Sequence, residues 1–507
     1  MGHKYVHMSF IPKPNKFVSA LFSLCFLSVV VHAQEIPHLD TLTSNTGLKM
    51  YLLQHGDDSI LTIRVVINGG KKNETKCQVG YSDVIQRLIS ETLKNRWNRT
   101  VEKEYWLTCK LIRGQTIVSG KCHRQNLDKE MAFLSTTLCR LPFNKEQIDV
   151  IVSSICASYH PETISEFKLS VAYRNFILFG SQHPMGRNYC QYQLQKALPG
   201  QLREFYESHY TPQKTSLLIC GNLNVWLTKK IITKHFIKWR SLHTVDDEEG
   251  RAELITPVFK GRQIALVNKT DARQCLLKWV QPAPSSPSPE QLAFSVTRDL
   301  FNHYLVGEIK KTAPSGLSVK SPVYAHGFIE LNGVVSHSRI IAAIHWVDTL
   351  LQHFQKTEIT ETVLEELKQK LIAKYRNNST PESVLTFYDP LAYDFDQRRN
   401  YIDLLSRIRP QDIQYVIKKY FKADTYQLII VGKAHVLSAQ LTQLNHVTNY
   451  QTMDFETCDE ACKEVVIVKC HCMDCWRRGQ CHLWRFDPTE KDAIKSAKSR
   501  AKASMKE

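Results

Sequence analysis

Residues 201–239 read QLREFYESHYTPQKTSLLICGNLNVWLTKKIITKHFIKW, and residues 410–432 read PQDIQYVIKKYFKADTYQLIIVG. Both stretches have the same grammar. An amphipathic helix ends in a tyrosine (Tyr210, Tyr420), a short polar turn follows, then a continuous apolar strand, then a glycine (Gly221, Gly432). The two copies lie about one large domain apart, so the chain carries an internal repeat whose unit is a whole lobe.

Working outward from the first copy, the text alternates between two periodicities. Leu48–Gln54 and Ser59–Asn68 are β-rich, and Gly69-Gly70 breaks the second. Ser82–Lys94 places Val84, Ile85, Leu88, Ile89 and Leu93 on one side of a helix. Strands are expected at Tyr105–Ile112 and Gln115–Lys121. Helices are expected at Leu127–Leu141, from Asn144 through Ile155, at Ile164–Phe179 and at Leu202–His209. In the second half, strands fit Arg262–Asn268 and Leu276–Val280, and helices fit Gln291–Val306, Ser338–Phe354 and Glu361–Tyr375. Strands and helices share each unit, which is the α+β pattern.

Composition agrees with a folded chain. Of 507 residues, 43% are hydrophobic and 23% charged, which excludes a mainly disordered, collagen-like or coiled-coil protein. A net charge of +17 suits an anionic partner or surface and says nothing about fold. Met1–Pro14 has lysines and no acid, Phe17–Val31 is an uninterrupted apolar run, and Val31-His32-Ala33 has the small residues of a cleavage site. Residues 1–33 are therefore expected to be a secretory signal peptide, with an uncleaved membrane anchor as the alternative. The mature protein is then secreted or periplasmic. Of the fifteen cysteines, eight spread from Cys77 to Cys275 and six crowd between Cys458 and Cys481. An oxidising compartment would permit disulfides among them, with connectivity that sequence does not give.

The expected organisation is a signal peptide at 1–33, a first lobe at 34–241, and a polar, acidic linker at 242–253. A second lobe follows at 254–440, then a Cys-rich module with a basic tail at 441–507. QPAPSSPSPE at Gln281–Glu290 reads as a surface loop inside the second lobe, because strands of that lobe already precede it.

Four stretches carry a family resemblance across Leu39 to Leu437: TLTSNTGLKMYLLQ at 41–54, SQHPMGRNYC at 181–190, Gln201–Trp239, and Ser315-Gly316-Leu317-Ser318. In order and spacing the chain resembles one two-domain half of the insulinase/pitrilysin peptidases, the inverted zinc peptidases that include mitochondrial processing peptidase. The resemblance implies two homologous α/β-sandwich lobes, a chamber formed with a second half, and H-x-x-E-H on the first long helix. There two imidazoles would bind zinc, the Glu would activate water, and a distant Glu would complete the shell.

The matching helix departs from that pattern. Asp83 and Arg87 stand where the resemblance implies histidines, and Gln86 stands where it implies the catalytic Glu. The third ligand falls near Ser158, and no acid lies between Asp149 and Glu162. An arginine cannot shed its proton to bind metal, and a glutamine cannot take a proton from water. In the second lobe the resemblance implies an Arg and a Tyr. Thr312 and Val319 occupy those positions, with Lys310 and Lys311 beside them. Zinc hydrolysis and a cofactor in the cleft are therefore not expected. His160, His183, His209, His235 and His303 show no zinc spacing, and His183 is expected to structure its loop.

The tail holds one further constellation: Cys458, Cys462, Cys470, Cys472, Cys475, Cys481 and His482. It could hold zinc, although an oxidising route favours disulfides. Lys491–Lys506 is basic with two large apolar side chains, and suits an anionic envelope surface better than any specific nucleic acid. The expected protein is an inactive insulinase-family homologue, a structural or regulatory subunit or peptide binder. Its partner would be a second copy or a related, zinc-bearing subunit. An active peptidase with a reorganised site, and an interaction protein acting through its tail, are the alternatives.

Overall fold

A computed structural model describes residues 39–97, 107–112, 114–160, 163–181, 183–187, 194–240, 259, 261–284, 288–325, 327–376, 400–442, 444, 449–453, 467–468 and 484–485. The first lobe contributes strands β1 (Leu39–Thr43), β2 (Lys49–Gln54), β3 (Ile60–Ile67), β4 (Leu107–Ile112), β5 (Gln115–His123) and β6 (Thr215–Gly221). They form one sheet in the order β1-β2-β6-β3-β5-β4. The second lobe contributes β7 (Arg262–Asn268), β8 (Cys275–Pro282), β9 (Ser318–Ala325), β10 (Phe328–Val335), β11 (Tyr426–Gly432) and β12 (Asn449–Met453), ordered β12-β7-β11-β8-β10-β9. Five strands of each sheet correspond, and the two glycine-ended strands of the repeat, β6 and β11, take the same place. Each pairs in parallel with one neighbour (β2, β7) and antiparallel with the other (β3, β8). The edge strand differs: β1 joins antiparallel, β12 joins parallel.

Because β12 completes the second sheet, that lobe reaches past residue 440, where the sequence reading ended it. The hairpin β9–β10, also unread in the sequence, lies between the second lobe's helices.

The first lobe's helices are α1 (Tyr81–Trp97), α2 (Leu127–Cys139), α3 (Lys145–Ser158), α4 (Glu166–Phe179), α5 (Pro199–His209) and α6 (Val225–Phe236), and all but α4 contribute to the core on one face of its sheet. Local chemistry sets several starts. Asn144 accepts from Gln147 N at the head of α3, Ser165 from Lys168 N at α4, and Asn224 from Leu227 N at α6. Pro199 opens α5, where a missing N–H costs nothing. Alternation decides the burial: Met50, Leu52, Ile63, Val65, Leu217 and Ile219 meet the helices, while Tyr51, Leu53, Val66 and Leu218 form a smaller cluster on the other face. Burial on both faces explains why β6 reads as one apolar run.

The second lobe repeats this with α7 (Gln291–Thr312), α8 (Ile340–Lys356), α9 (Glu361–Arg376), α10 (Tyr401–Ser406), α11 (Pro410–Tyr420) and α12 (Ala434–Leu441). Its core gathers Trp279, Phe294, Phe301, Phe354 and Phe421. The opposite face of this sheet receives α4 from the first lobe. Ile164, Leu169, Tyr173 and Leu178 pack on Val267, Val280, Phe328, Ile429 and Val431.

The cysteines of the body lie mostly inside the first lobe. Among the described residues, Cys109, Cys122, Cys156, Cys220 and Cys275 are buried, and Cys77 and Cys139 are partly so. They fill apolar positions as small hydrophobes. Burial pushes the thiols of Cys109 and Cys275 up to about 12, which keeps them protonated. In the tail, Ile467–Val468 (β13) pairs antiparallel with Trp484–Arg485 (β14). The tail cysteines and His482 lie outside the described residues. So do residues 1–33 and the linker 242–253. No helix among the described residues is long and apolar enough to cross a membrane.

Candidate functional site

The face where α1 meets α3 and the edge strand β4 holds the positions singled out in the sequence. Gln86 turns inward to the sheet: its Nε2 donates to the Cys109 carbonyl of β4 at 2.6 Å and to Ser90 Oγ at 2.8 Å. The donor capacity of this amide is thus spent on holding α1 to β4. Arg87 reaches across to α3, where its Nη1 donates to Ser154 Oγ at 2.8 Å. One turn further along, Gln147 Nε2 donates to Glu91 Oε2 at 2.6 Å. The α1–α3 seam is therefore closed by two polar cross-links. Ser158, the position counted from sequence, bonds back to the Ile155 carbonyl of its own helix. The residue facing Arg87 is Ser154. It lies one turn earlier than Ser158 on the same helix face.

Glu74 is the site residue that sequence reading missed. It precedes α1, is 2% exposed, and its Oε1 accepts from both the backbone N–H and the hydroxyl of Ser82. It thereby caps the positive end of α1. Its second oxygen, Oε2, is buried without a hydrogen-bond partner. Burial, reinforced by the nearby charge of Asp83 and opposed by the Ser82 bonds, pushes this carboxyl up to about 7. A lone acid in a lysine-rich stretch (KKNETK) carried no periodic signal.

The HPMGR loop locks this region. His183 Nδ1 accepts from Met185 N at 3.2 Å, and the ring stacks on Phe179 with centroids 5.0 Å apart. Arg187 donates to the Glu74 carbonyl oxygen at 2.5 Å and to the Ser181 carbonyl oxygen at 3.3 Å. Gly186 is required by space, since a Cβ there would lie 2.1 Å from the Gly180 oxygen. His183 thus shapes its loop.

Of the other histidines, His235 contacts Asp128 at 2.9 Å. His209 rests against Phe205, with burial pulling its imidazole down to about 4.

In the second lobe, Thr312 ends α7 and accepts from Trp346 Nε1 of α8 at 2.9 Å, while its own hydroxyl donates to the Glu308 carbonyl. Val319 lies on β9, half-buried against the second core. Lys311 is exposed beside Glu308 at 3.6 Å. Thr312 thus ties α7 to α8.

The residues do not fit the zinc that this fold implies. Arg87 brings a fixed cation, Gln86 a neutral amide already engaged, and Ser154 and Ser158 on α3 bring hydroxyls rather than a carboxylate. Among the described residues, no group of three His, Cys, Asp or Glu is placed to hold a metal ion.

Two repeated lobes, each a six-stranded sheet with helices on one face, define the fold class, an α+β scaffold of the kind found in peptidases of the M16 type. The comparisons agree. The family described as Peptidase M16 inactive domain matches residues 198–371, which run from the start of α5 into α9 and leave out α1. A protease from Helicobacter pylori is similar at 16% identity and a TM-score of 0.66, covering 78% of this chain and 100% of that one. The peptidase M16 inactive domain from Pseudomonas fluorescens is similar at 12% identity and 0.65, with 78% and 98% covered. The periplasmic protease PqqL from Escherichia coli is similar at 14% identity and 0.58, covering 79% of this chain and 48% of that one. No curated protein matches the sequence. Residues 198–371 thus match a peptidase-family model and the chain shares the fold of these structures, in line with the resemblance carried by its motifs.

Proposed function

We propose that this chain is a non-catalytic insulinase-family homologue that serves as a structural or regulatory subunit, or peptide-binding partner, of a peptidase-like complex. One observation carries the reading. Gln86 and Arg87, which stand where the resemblance implies the catalytic Glu and a histidine, are committed to bonds that hold α1 to β4 and, through Ser154, to α3. Gln86 itself can orient a water but cannot take its proton. The size relation to PqqL supports a partner: this chain corresponds to about half of that protein, so a chamber would need a second half, either another copy or a related subunit that carries zinc. The N-terminal segment supports action outside the cytoplasm. In the tail, disulfides are the reading that an oxidising route favours over zinc.

The test is zinc content and peptide turnover of the purified chain, together with the mass of the complex isolated from its native source. The expected result is no turnover, substoichiometric zinc, and a complex containing a second half. Turnover abolished by both a chelator and Gln86→Ala would overturn the non-catalytic reading. A lone monomer in the native source would overturn the subunit reading.

A further inference from the structure

Helix α6 has a sequence unlike its neighbours. From Asn222 to Arg240 there is no acidic residue, while lysines recur throughout. Thr228, Ile232 and Phe236 are buried and hold the helix to the first lobe, where α2 also grips it through Ser135 Oγ and the His235 carbonyl at 2.7 Å. The outward face carries Trp226, Lys230 and Lys234 at i, i+4 and i+8, with Leu227 beside them and Ile237 and Lys238 in the turn that ends the helix. Trp226 is 69% exposed, Ile237 54% and Leu227 49%. Large apolar groups this open on one helix face mark an interaction site more often than chance. Lys230 lies over the Trp226 ring, 5.2 Å from its centroid. Asp128 is an acid that meets this helix, and it is shared between Lys234 at 3.0 Å and His235 at 2.9 Å.

We propose that α6 docks flat on an anionic lipid surface, with Trp226, Leu227 and Ile237 entering the headgroup layer and Lys230, Lys234 and Lys238 meeting lipid phosphates. Three observations favour lipid over an acidic protein. The face is a convex helix surface rather than a groove. Its apolar groups stand at the two ends with ammonium groups between them, the pattern that lets lysines snorkel while the ends insert. An indole is the side chain best suited to the boundary between headgroup and acyl chain.

The experiment uses the full chain floated with phosphatidylcholine vesicles, with and without phosphatidylglycerol. The expected result is binding to the anionic vesicles alone, with release as salt rises. Trp226→Ala with Lys230→Glu and Lys234→Glu should lower the partition coefficient by about tenfold or more. Lipids brominated near the headgroup should quench tryptophan fluorescence, and Trp226→Phe should remove that quenching. This readout separates α6 from the basic C-terminal tail. All three substituted side chains are exposed, and circular dichroism checks that the fold persists. Equal binding to neutral vesicles, no binding at all, unchanged binding by the triple variant, or capture by polyglutamate but not by vesicles would each overturn the assignment.

Discussion

Arg174 and Glu330 belong to different lobes and form an ion pair at their junction, Arg174 from α4 and Glu330 from β10. Lys278 of β8 completes the group, its Nζ 2.7 Å from the second oxygen of Glu330 and 2.6 Å from Asn332 Oδ1. Lys278 is fully buried and Phe328 lies beneath the guanidinium. Burial alone would raise the Glu330 carboxyl, but Arg174 and Lys278 together hold it below its ordinary value.

Removing one member of this group should therefore be costly. Glu330→Gln leaves two buried cations facing a neutral amide, and the expected loss is about 3–5 kcal/mol in urea unfolding. Replacing Arg174, Lys278 and Glu330 together by apolar residues should cost less than the single change. The pH sign follows from the lowered carboxyl. Its stabilisation is fully present above roughly pH 4.3 and is lost as pH falls through the folded value, so Glu330→Gln should flatten the acid limb of the stability curve.

Glu74 should act in the opposite sense. Its carboxyl is raised from 4.5 to about 7, so between those values the folded state binds more protons than the unfolded state. Stability should fall as pH rises across that window and level off above it. The amplitude is on the order of 3 kcal/mol. Glu74→Gln should abolish this slope while keeping the acceptor for Ser82. Chemical denaturation at a series of pH values measures it, and an unchanged slope would refute the assignment.

The seam between α1 and α3 makes a prediction about register. With Asp83→His, Gln86→Glu and Arg87→His in place, adding Ser154→Glu should tighten zinc binding by about tenfold or more relative to adding Ser158→Glu. Isothermal titration with zinc compares the two. Equal affinities would mean that Ser154 does not face the helix pair as the Arg87 bond indicates.

Gly186→Ala should destabilise the HPMGR loop, because the new methyl would collide with the Gly180 oxygen. The expected cost is about 1–3 kcal/mol in thermal or urea unfolding. A neutral substitution would show that the loop can yield.

Thiol labelling should follow burial. Cys77 and Cys139 are partly accessible, whereas Cys109, Cys122, Cys156, Cys220 and Cys275 are buried. In the folded protein Cys139 should alkylate well before Cys109 and Cys275, and mass spectrometry of a time course reads the order.

Much of the fold was legible in the sequence because its signals are local. The repeated helix, Tyr, strand and Gly marks β6 and β11, and the periodicity through Val84, Ile85 and Leu88 marks α1. Strand β12 was not legible, since NYQTM becomes a strand by pairing with β7, which is distant in the chain. The hairpin β9–β10 was hidden by Pro322 and Gly333, which read as interruptions. In the site, the degenerate positions on α1 could be named by register alone. Ser154 could not, because which α3 residue meets Arg87 depends on how two helices pack. Nor does a lysine inside CLLKWVQP announce that its partners are Glu330 and, through it, Arg174.

The covering of the second sheet by α4 decides how this protein can be divided. A polypeptide beginning at the acidic linker would carry Val267, Val280, Ile429 and Val431 bare to water, with Lys278 and Glu330 stripped of Arg174. The repeat suggests two interchangeable modules, but the second is finished only by a piece of the first. Recombination, circular permutation or fragment expression that cuts between them should yield a sticky, acid-sensitive half. The heritable unit of this scaffold is the pair.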